Sequence, residues 1–303
     1  MLFFMHIFGK IIAKNKIFLY LCTLFTICMD NACSHIRLGD HLCDLSQPMV
    51  MAIVNATPDS FFAASRAQTQ EELRTVFIRA VDEGADIIDI GACSTRPAVQ
   101  SGDGIVSEHE EWQRLHVALT IVRQLNLRVP VSVDTFRPAI AKRAIEEFGV
   151  ELINDISGKV SNFIGVLSGF HAGYVLTYNR ANDEHKTANL LSDALAFFSR
   201  KVDELHRAGI SDVIIDPGFG FGQTVEESIS LLDNLSALRH IGCPILAGIS
   251  RKRMAYQPAG LTPDTCLDET LRLERIALAQ GARILRVHDV AATKQMITQI
   301  ANE

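Results

Sequence analysis

The sequence predicts an α/β chain folded as a single-domain (β/α)8 TIM barrel. Eight short runs rich in Ile and Val recur along it, at residues 50–55, 86–91, 130–134, 151–154, 174–178, 212–216, 244–248 and 283–287. They are nearly unbroken apolar segments, the pattern of strands covered on both faces. Amphipathic stretches with helical period separate them. Eight strand–helix units in about 255 residues match such a barrel, with a doubly wound open sheet as the alternative.

In chain order, Lys10, Lys14 and Lys16 precede a charge-free run over residues 17–28. A basic flank and a short apolar run resemble a signal peptide. The run is short for a bilayer span, and Met29, Asp30 and Asn31 follow it in place of a small-residue cleavage pattern. Two further readings stand beside that one. Met29 is a candidate start, with residues 1–28 a misassigned extension, or the segment is a packed helix. Residues 1–44 are read as an N-terminal extension and residues 45–303 as the barrel.

After the first run, Leu73, Val76, Phe77, Ala80 and Val81 share one helix face. Trp112, Leu115, Leu119 and Val122 mark a second helix and read as core. Pro138 opens a third, which carries Ile140, Ala144, Ile145 and Phe148; proline loses no hydrogen bond in a first turn. Leu191, Ala194, Leu195, Phe198, Val202 and Leu205 mark another. Gly84, Gly149, Gly209, Gly242 and Gly281 each stand between a helical stretch and the next run, where a left-handed residue stops a helix. Residues 161–188 are the least regular, with the weakest strand signal near Val175. Glu269, Arg272, Glu274 and Arg275 read as a solvated helix face.

Composition bounds the function. The 303 residues are 48% hydrophobic and 21% charged, too apolar for a disordered chain. The net charge is −6 and no basic block exceeds Arg251-Lys252-Arg253, which argues against nucleic acid as a partner. The seven cysteines form no C-x-x-C pair, so they suggest free thiols in a reducing, cytoplasmic compartment. No stable membrane association is expected.

A barrel of this kind carries its chemistry at the C-terminal ends of its strands. Those ends supply Asn55, then Ser94, Thr95 and Arg96, then Asp134, Asn154, Thr177 and Tyr178, Asp216, Ser250, Arg251 and Lys252, and finally Arg286 and His288. Such groups are costly to bury singly, so their convergence on one mouth points to a binding site. Structural roles compete at each. Asp134 or Thr135 would cap the next helix, Asn154 would tie a loop, and Arg286 would pair with Asp289 or Asp216. Two carboxylates and an amide suit a flat heterocycle with N–H donors, while Arg286 and His288 suit an anion such as phosphate. Residues 216–222, Asp-Pro-Gly-Phe-Gly-Phe-Gly, lack the features of a P-loop or a dinucleotide fingerprint. They read as a tight loop that brings backbone to a ligand, with its two Phe packed on it. Cys93 lies near the mouth with no base beside it.

These motifs together resemble the dihydropteroate synthase family. Asn55-Ala56-Thr57-Pro58-Asp59-Ser60-Phe61 is similar to its first signature, and residues 88–97, Ile-Asp-Ile-Gly-Ala-Cys-Ser-Thr-Arg-Pro, to its second. Ser132-Val133-Asp134-Thr135, Ile153-Asn154-Asp155-Ile156, the glycine-rich run, Ser250-Arg251-Lys252 and Arg286-Val287-His288-Asp289 complete the set in order. The resemblance implies a TIM barrel, commonly dimeric, that condenses 6-hydroxymethyl-7,8-dihydropterin diphosphate with 4-aminobenzoate. The products are 7,8-dihydropteroate and pyrophosphate, and Mg²⁺ assists. It further implies that Asp134, Asn154, Asp216 and Lys252 hold the pterin, with Asp134, Asp216 and Lys252 in the catalytic role. Gly220 and Phe221 join the substrate-binding set. Arg286 would stack on the ring and, with His288 and Asn55, bind the diphosphate and its Mg²⁺, Asn55 being the metal ligand. Phe61, Thr95, Arg96 and Pro97 would shape the aminobenzoate pocket.

Departures from the family pattern fall on the aminobenzoate wall and on the fifth run. Residues 62–66 read Phe-Ala-Ala-Ser-Arg where many relatives are glycine-rich. The fifth run reads Leu176-Thr177-Tyr178-Asn179-Arg180 where the family has Met-His-Met followed by Gly, which makes Tyr178 a candidate filler for the lost pterin-pocket Met. Arg253 replaces a Ser that meets the aminobenzoate carboxylate, and Gln223 replaces a Lys after the glycine-rich run. A small Gly-Ser/Thr stretch of the family becomes Asp268-Glu269-Thr270. A divergent paralogue that binds pterin with weak or no synthase activity is therefore the alternative.

Overall fold

The computed structural model describes residues 34–56, 66–93 and 106–302, with backbone alone for 66–69. The basic N-terminal run, Met29, Phe61, Thr95, Arg96 and Pro97 lie outside the described residues.

Each apolar run forms a strand. They are β3 (Met49–Asn55), β4 (Ile87–Gly91), β5 (Val131–Asp134), β6 (Leu152–Asp155), β7 (Gly173–Thr177), β8 (Val213–Asp216), β9 (Leu246–Ala247) and β10 (Ile284–Val287). All pair in parallel, in the order β8-β7-β6-β5-β4-β3-β10-β9. A parallel bridge between Ile215 and Ile245 joins the two edges, so the sheet closes as a barrel rather than an open sheet. The run around Val175 is a full strand, β7, buried at every residue.

Helices α1 (Arg66–Asp82), α2 (Glu108–Leu125), α3 (Pro138–Phe148), α4 (Val160–Leu167), α5 (Leu190–Arg207), α6 (Val225–Asp233), α7 (Arg253–Tyr256), α8 (Leu267–Ala279) and α9 (Val290–Ala301) cover its outside. Pro138 stands in the first turn of α3, and Gly149 ends that helix at φ 70°. A Cβ is disfavoured there; the other four helix-stop glycines share the positive sign. Leu73, Phe77, Trp112, Leu115, Ile140, Ala144, Phe198 and Val202 pack with the outward strand residues, among them Ile88, Val133, Ile153, Leu176 and Ile215.

Helix α8 departs from the expected solvated face. Glu269 does pair with Arg272 on the surface, at 2.7 Å. Glu274, by contrast, is fully buried and accepts from Thr293 Oγ1 at 3.0 Å. Burial pushes its carboxyl up to about 8.

Within the segment expected to be an extension, the antiparallel strands β1 (His35–Leu38) and β2 (His41–Asp44) form a hairpin. It is fastened to the barrel by Arg37 N–H on Asp212 Oδ1 at 2.9 Å and by Gly39 N–H on His171 O at 3.0 Å. Ile36, Leu38 and Cys43 alternate with more exposed residues. They pack on Met49, Met51, Ile87, Leu152, Val175, Ile214, Leu246 and Ile284, the inward residues of the lower barrel. The hairpin thus forms the floor of the barrel.

Successive strand residues alternate between faces. Two residues beyond each floor residue therefore lies another inward position, nearer the mouth. That step leads from Ile87 to Asp89, Leu152 to Asn154, Val175 to Thr177, Ile214 to Asp216, Leu246 to Gly248 and Ile284 to Arg286. On five of these strands an apolar floor residue gives way to a polar one within one pleat, while on β3 the step from Met51 leads to Ile53.

Candidate active site

Arg286 links two carboxylates across the mouth. Its Nε donates to Asp89 Oδ2 and its terminal amine to Asp134 Oδ2, both at 2.7 Å. Asp89 also accepts from Ser132 Oγ at 2.6 Å and from Asn154 Nδ2 at 3.0 Å. The Asn154 amide is thereby oriented with its oxygen turned elsewhere. Among the described residues, four buried side-chain atoms have no hydrogen-bond partner: Asp134 Oδ1, Asn154 Oδ1 and Thr177 Oγ1 at the mouth, and Glu274 Oε1 in α8. The three at the mouth lie on consecutive strands, with Asp134 facing Asn154 in register. Burial pushes the Asp134 carboxyl up to about 7 against the pull of Arg286.

Asp216 and Lys252 form the opposite wall. Asp216 Oδ1 accepts the Gly218 N–H at 2.8 Å, and Lys252 Nζ donates to Phe219 O at 2.7 Å and lies 5.1 Å from the Phe221 ring centre. A methyl group on Gly248 would stand 3.6 Å from Lys252 Nζ and 3.9 Å from Asp216 Oδ2 and Arg286 Cβ. A bare glycine therefore keeps the space between these three groups open. Burial lowers the Lys252 ammonium to about 8, although Asp216 opposes it. Burial likewise raises the Asp216 carboxyl, opposed by Lys252.

The glycine-rich loop is locked from behind. Gly218 sits at φ 67°, and a Cβ there would come within 2.1 Å of Tyr178 O, so only glycine fits. Gln223 is buried, donates to Pro217 O at 3.0 Å and accepts from Ser228 Oγ at 2.9 Å. The residue that departs from the family pattern thus ties the loop to α6. Phe219 is fully buried and Phe221 partly so. Gly220 stands 3.9 Å from the Lys252 side chain, measured from the place of an added Cβ.

At the rim, His288 Nδ1 lies 3.0 Å from Ser250 Oγ, which also accepts the His288 N–H at 3.2 Å. Desolvation of the ring, then Arg286 and Arg251, hold this imidazole down at about 4; it is neutral at pH 7. Arg253 is exposed, with its guanidinium 3.4 Å from Gln223 O. Asn55 is exposed at the end of β3.

Several expectations change. Asp134 does not cap α3, whose N-cap residue is Arg137 without a side-chain bond; Thr135 accepts the Arg137 N–H at 3.2 Å. Arg286 pairs with Asp89 and Asp134, while Asp289 is engaged by Arg251 at 2.7 and 3.1 Å. Tyr178 does not line the pocket. Its ring packs outside the barrel on Phe197 and Phe198, at 5.1 and 6.3 Å, and its hydroxyl donates to Asp183 at 2.9 Å. Thr177 is the inward residue, so the obstruction that favoured an inactive paralogue is absent at this position. Burial raises the Cys93 thiol, the opposite of an activated nucleophile. Asp89 is a site residue that inspection of strand ends passes over; its signal is a lone carboxylate inside an apolar run.

Comparisons with known proteins agree with this geometry. The family described as Pterin binding enzyme matches residues 51–288. The dihydropteroate synthase of Clostridium beijerinckii is 35% identical over 246 residues, covering 80% of this chain and 88% of that protein. The Xanthomonas albilineans dihydropteroate synthase solved with 4-aminobenzoic acid superposes with a TM-score of 0.80 at 32% identity, over 89% of this chain and 97% of that one. The same enzyme in complex with 7,8-dihydropteroate gives 0.77 at 28% identity, over 89% and 98%. The chain belongs to the pterin-binding enzymes, within the dihydropteroate synthases.

Proposed function

We propose that this barrel condenses 6-hydroxymethyl-7,8-dihydropterin diphosphate with 4-aminobenzoate, giving 7,8-dihydropteroate and pyrophosphate. The observation that carries the site assignment is the set of unpartnered buried atoms on β5, β6 and β7. Asp134 Oδ1 and Asn154 Oδ1 accept the N–H donors of the pterin edge. Asp216 and Lys252 close the other side of the ring, with Gly220 and Phe221 above them. As the C–O bond to the diphosphate breaks, positive charge grows on the pterin, and Asp134 and Asp216 stabilise it in a site shielded from water. Arg286, His288 and Ser250 face the departing diphosphate. The arylamine nitrogen forms the new bond to the CH₂ group and releases its proton to solvent.

Mg²⁺ belongs to this reading. Asn55 presents a hard amide oxygen 3.8 Å from the place of a Gly91 Cβ, beside Asp134 at 3.7 Å from the same point. No group of three His, Cys, Asp or Glu among the described residues is arranged for a metal. One protein oxygen with substrate phosphate and water is a coordination that magnesium accepts. When bound there, the ion would supply charge neutralisation to the diphosphate. Phe61, Thr95, Arg96 and Pro97 are assigned to the aminobenzoate pocket, with Arg253 on its carboxylate. No described helix is long and apolar enough to cross a membrane. Homodimer assembly rests on the family resemblance and a cytoplasmic location on the cysteine pattern; sedimentation tests the first.

The test is turnover by the full chain with both substrates and Mg²⁺. Formation of 7,8-dihydropteroate is expected. Tight pterin binding without product would favour the binding-protein alternative.

A further inference from the structure

Of the three unpartnered atoms at the mouth, one belongs to a residue that the pterin-binding assignments above leave out. Thr177 is fully buried at the end of β7. Val175, two residues earlier, packs into the barrel floor, so Thr177 points into the interior above it. It faces Asp216 in register, and Asn154 on the other side faces Val175. Its methyl carbon lies 3.2 Å from where a Gly218 Cβ would stand. Its hydroxyl is buried with no partner. A buried hydroxyl left unpaired destabilises the free protein and calls for an explanation.

The chemistry of the neighbours narrows that explanation. As a carboxylate, Asp134 only accepts hydrogen bonds, and Asn154 has committed its N–H to Asp89, leaving its oxygen. Both atoms serve donors. With Asp134 ionised, Thr177 alone of the three has a proton to give. A pterin carries ring-nitrogen and carbonyl acceptors as well as N–H donors. We infer that Thr177 is a specificity-determining contact, whose hydroxyl donates to an acceptor on the bicyclic ring that Asp134 and Asn154 cannot serve. This rests on the pterin reading of the mouth and deepens it.

The experiment is calorimetric titration of dihydropterin diphosphate into the full chain without aminobenzoate, for the wild type, Thr177→Val, Thr177→Ser and Asp134→Asn. Valine keeps the shape and removes the hydroxyl. Thr177→Val should bind about tenfold more weakly, a loss of about 1.4 kcal/mol, and Thr177→Ser within about twofold of wild type. The KM for 4-aminobenzoate should not move. The free Thr177→Val protein should melt at or above the wild-type temperature, because an unpaired hydroxyl has gone; should it melt lower, Thr177→Ala reports the same tenfold loss. Wild-type affinity in Thr177→Val, alongside a large loss in Asp134→Asn, would overturn the Thr177 inference and leave the pterin site standing. No binding by the wild type would overturn both.

Discussion

The floor and the mouth of this barrel are built from the same strands, two residues apart, and they are opposites. The floor joins Met51, Ile87, Leu152, Val175, Ile214, Leu246 and Ile284 to the hairpin residues Ile36 and Leu38. Each of these side chains is apolar. The mouth sets Asp89, Asp134 and Asp216 against Arg286 and Lys252 and leaves three buried polar atoms unpaired. Apolar burial below and around the barrel contributes stability. That stability lets the mouth keep desolvated charges and unmet hydrogen bonds, which destabilise the free protein and favour a ligand.

The largest expected effect is on the mouth. Asp134→Ala and Lys252→Ala should each lower affinity for dihydropterin diphosphate by roughly 100-fold, because the first removes an acceptor for the ring N–H donors and the second leaves Asp216 without its cation. Calorimetry reads the loss. Full affinity in both would break the contrast by moving the site elsewhere.

The next effect is on pH. Lys252 is charged below about 8 and Asp134 is ionised above about 7. Activity that needs both should follow a narrow bell, with limbs that belong to the coupled groups together. Replacing Lys252 by Arg should lower the rate yet carry the alkaline limb upward, since guanidinium stays charged. An alkaline limb unmoved in that variant would assign it to another group.

Glu274 extends the comparison to a charge buried away from the mouth. Its carboxyl titrates near 8 in the folded state, against an ordinary 4.5. Between those values the folded protein holds a proton that the unfolded chain has released, so stability falls as pH rises through the window. Glu274→Gln should flatten that slope and gain about 3 kcal/mol at pH 8 relative to pH 5, read from denaturant midpoints. The smallest effect is at the rim. Arg253→Ser should raise the KM for 4-aminobenzoate about fivefold, as expected for loss of an exposed charge on a carboxylate. A lower KM would show instead that the arginine obstructs.

Most of this architecture was legible in the sequence. The eight strands were, because runs covered on both faces are apolar throughout, and the helix stops were, because glycine adopts positive φ cheaply. Asp134, Asn154, Asp216, Lys252 and Arg286 were legible as polar residues closing apolar strands. Asp89 was not, since it sits mid-run between Ile88 and Ile90. The exchange of Tyr178 for Thr177 follows from strand parity, which fixes the inward side only once a neighbour such as Val175 is placed. The hairpin was hidden by its length, two strands of four residues each, in a region with no extended apolar run. Glu274 shares helical spacing with solvated charges, and only the packing of α9 against α8 separates it from them.

The most direct test uses one strand. Ile214 belongs to the floor and Asp216, two residues on, to the mouth. Affinity for dihydropterin diphosphate and melting temperature would be measured for Ile214→Ala and Asp216→Asn. Ile214→Ala should lose about 3 kcal/mol of stability with affinity unchanged, and Asp216→Asn should bind at least about tenfold more weakly and melt at or above wild type. Equal losses of stability and binding in both variants would contradict the division between floor and mouth.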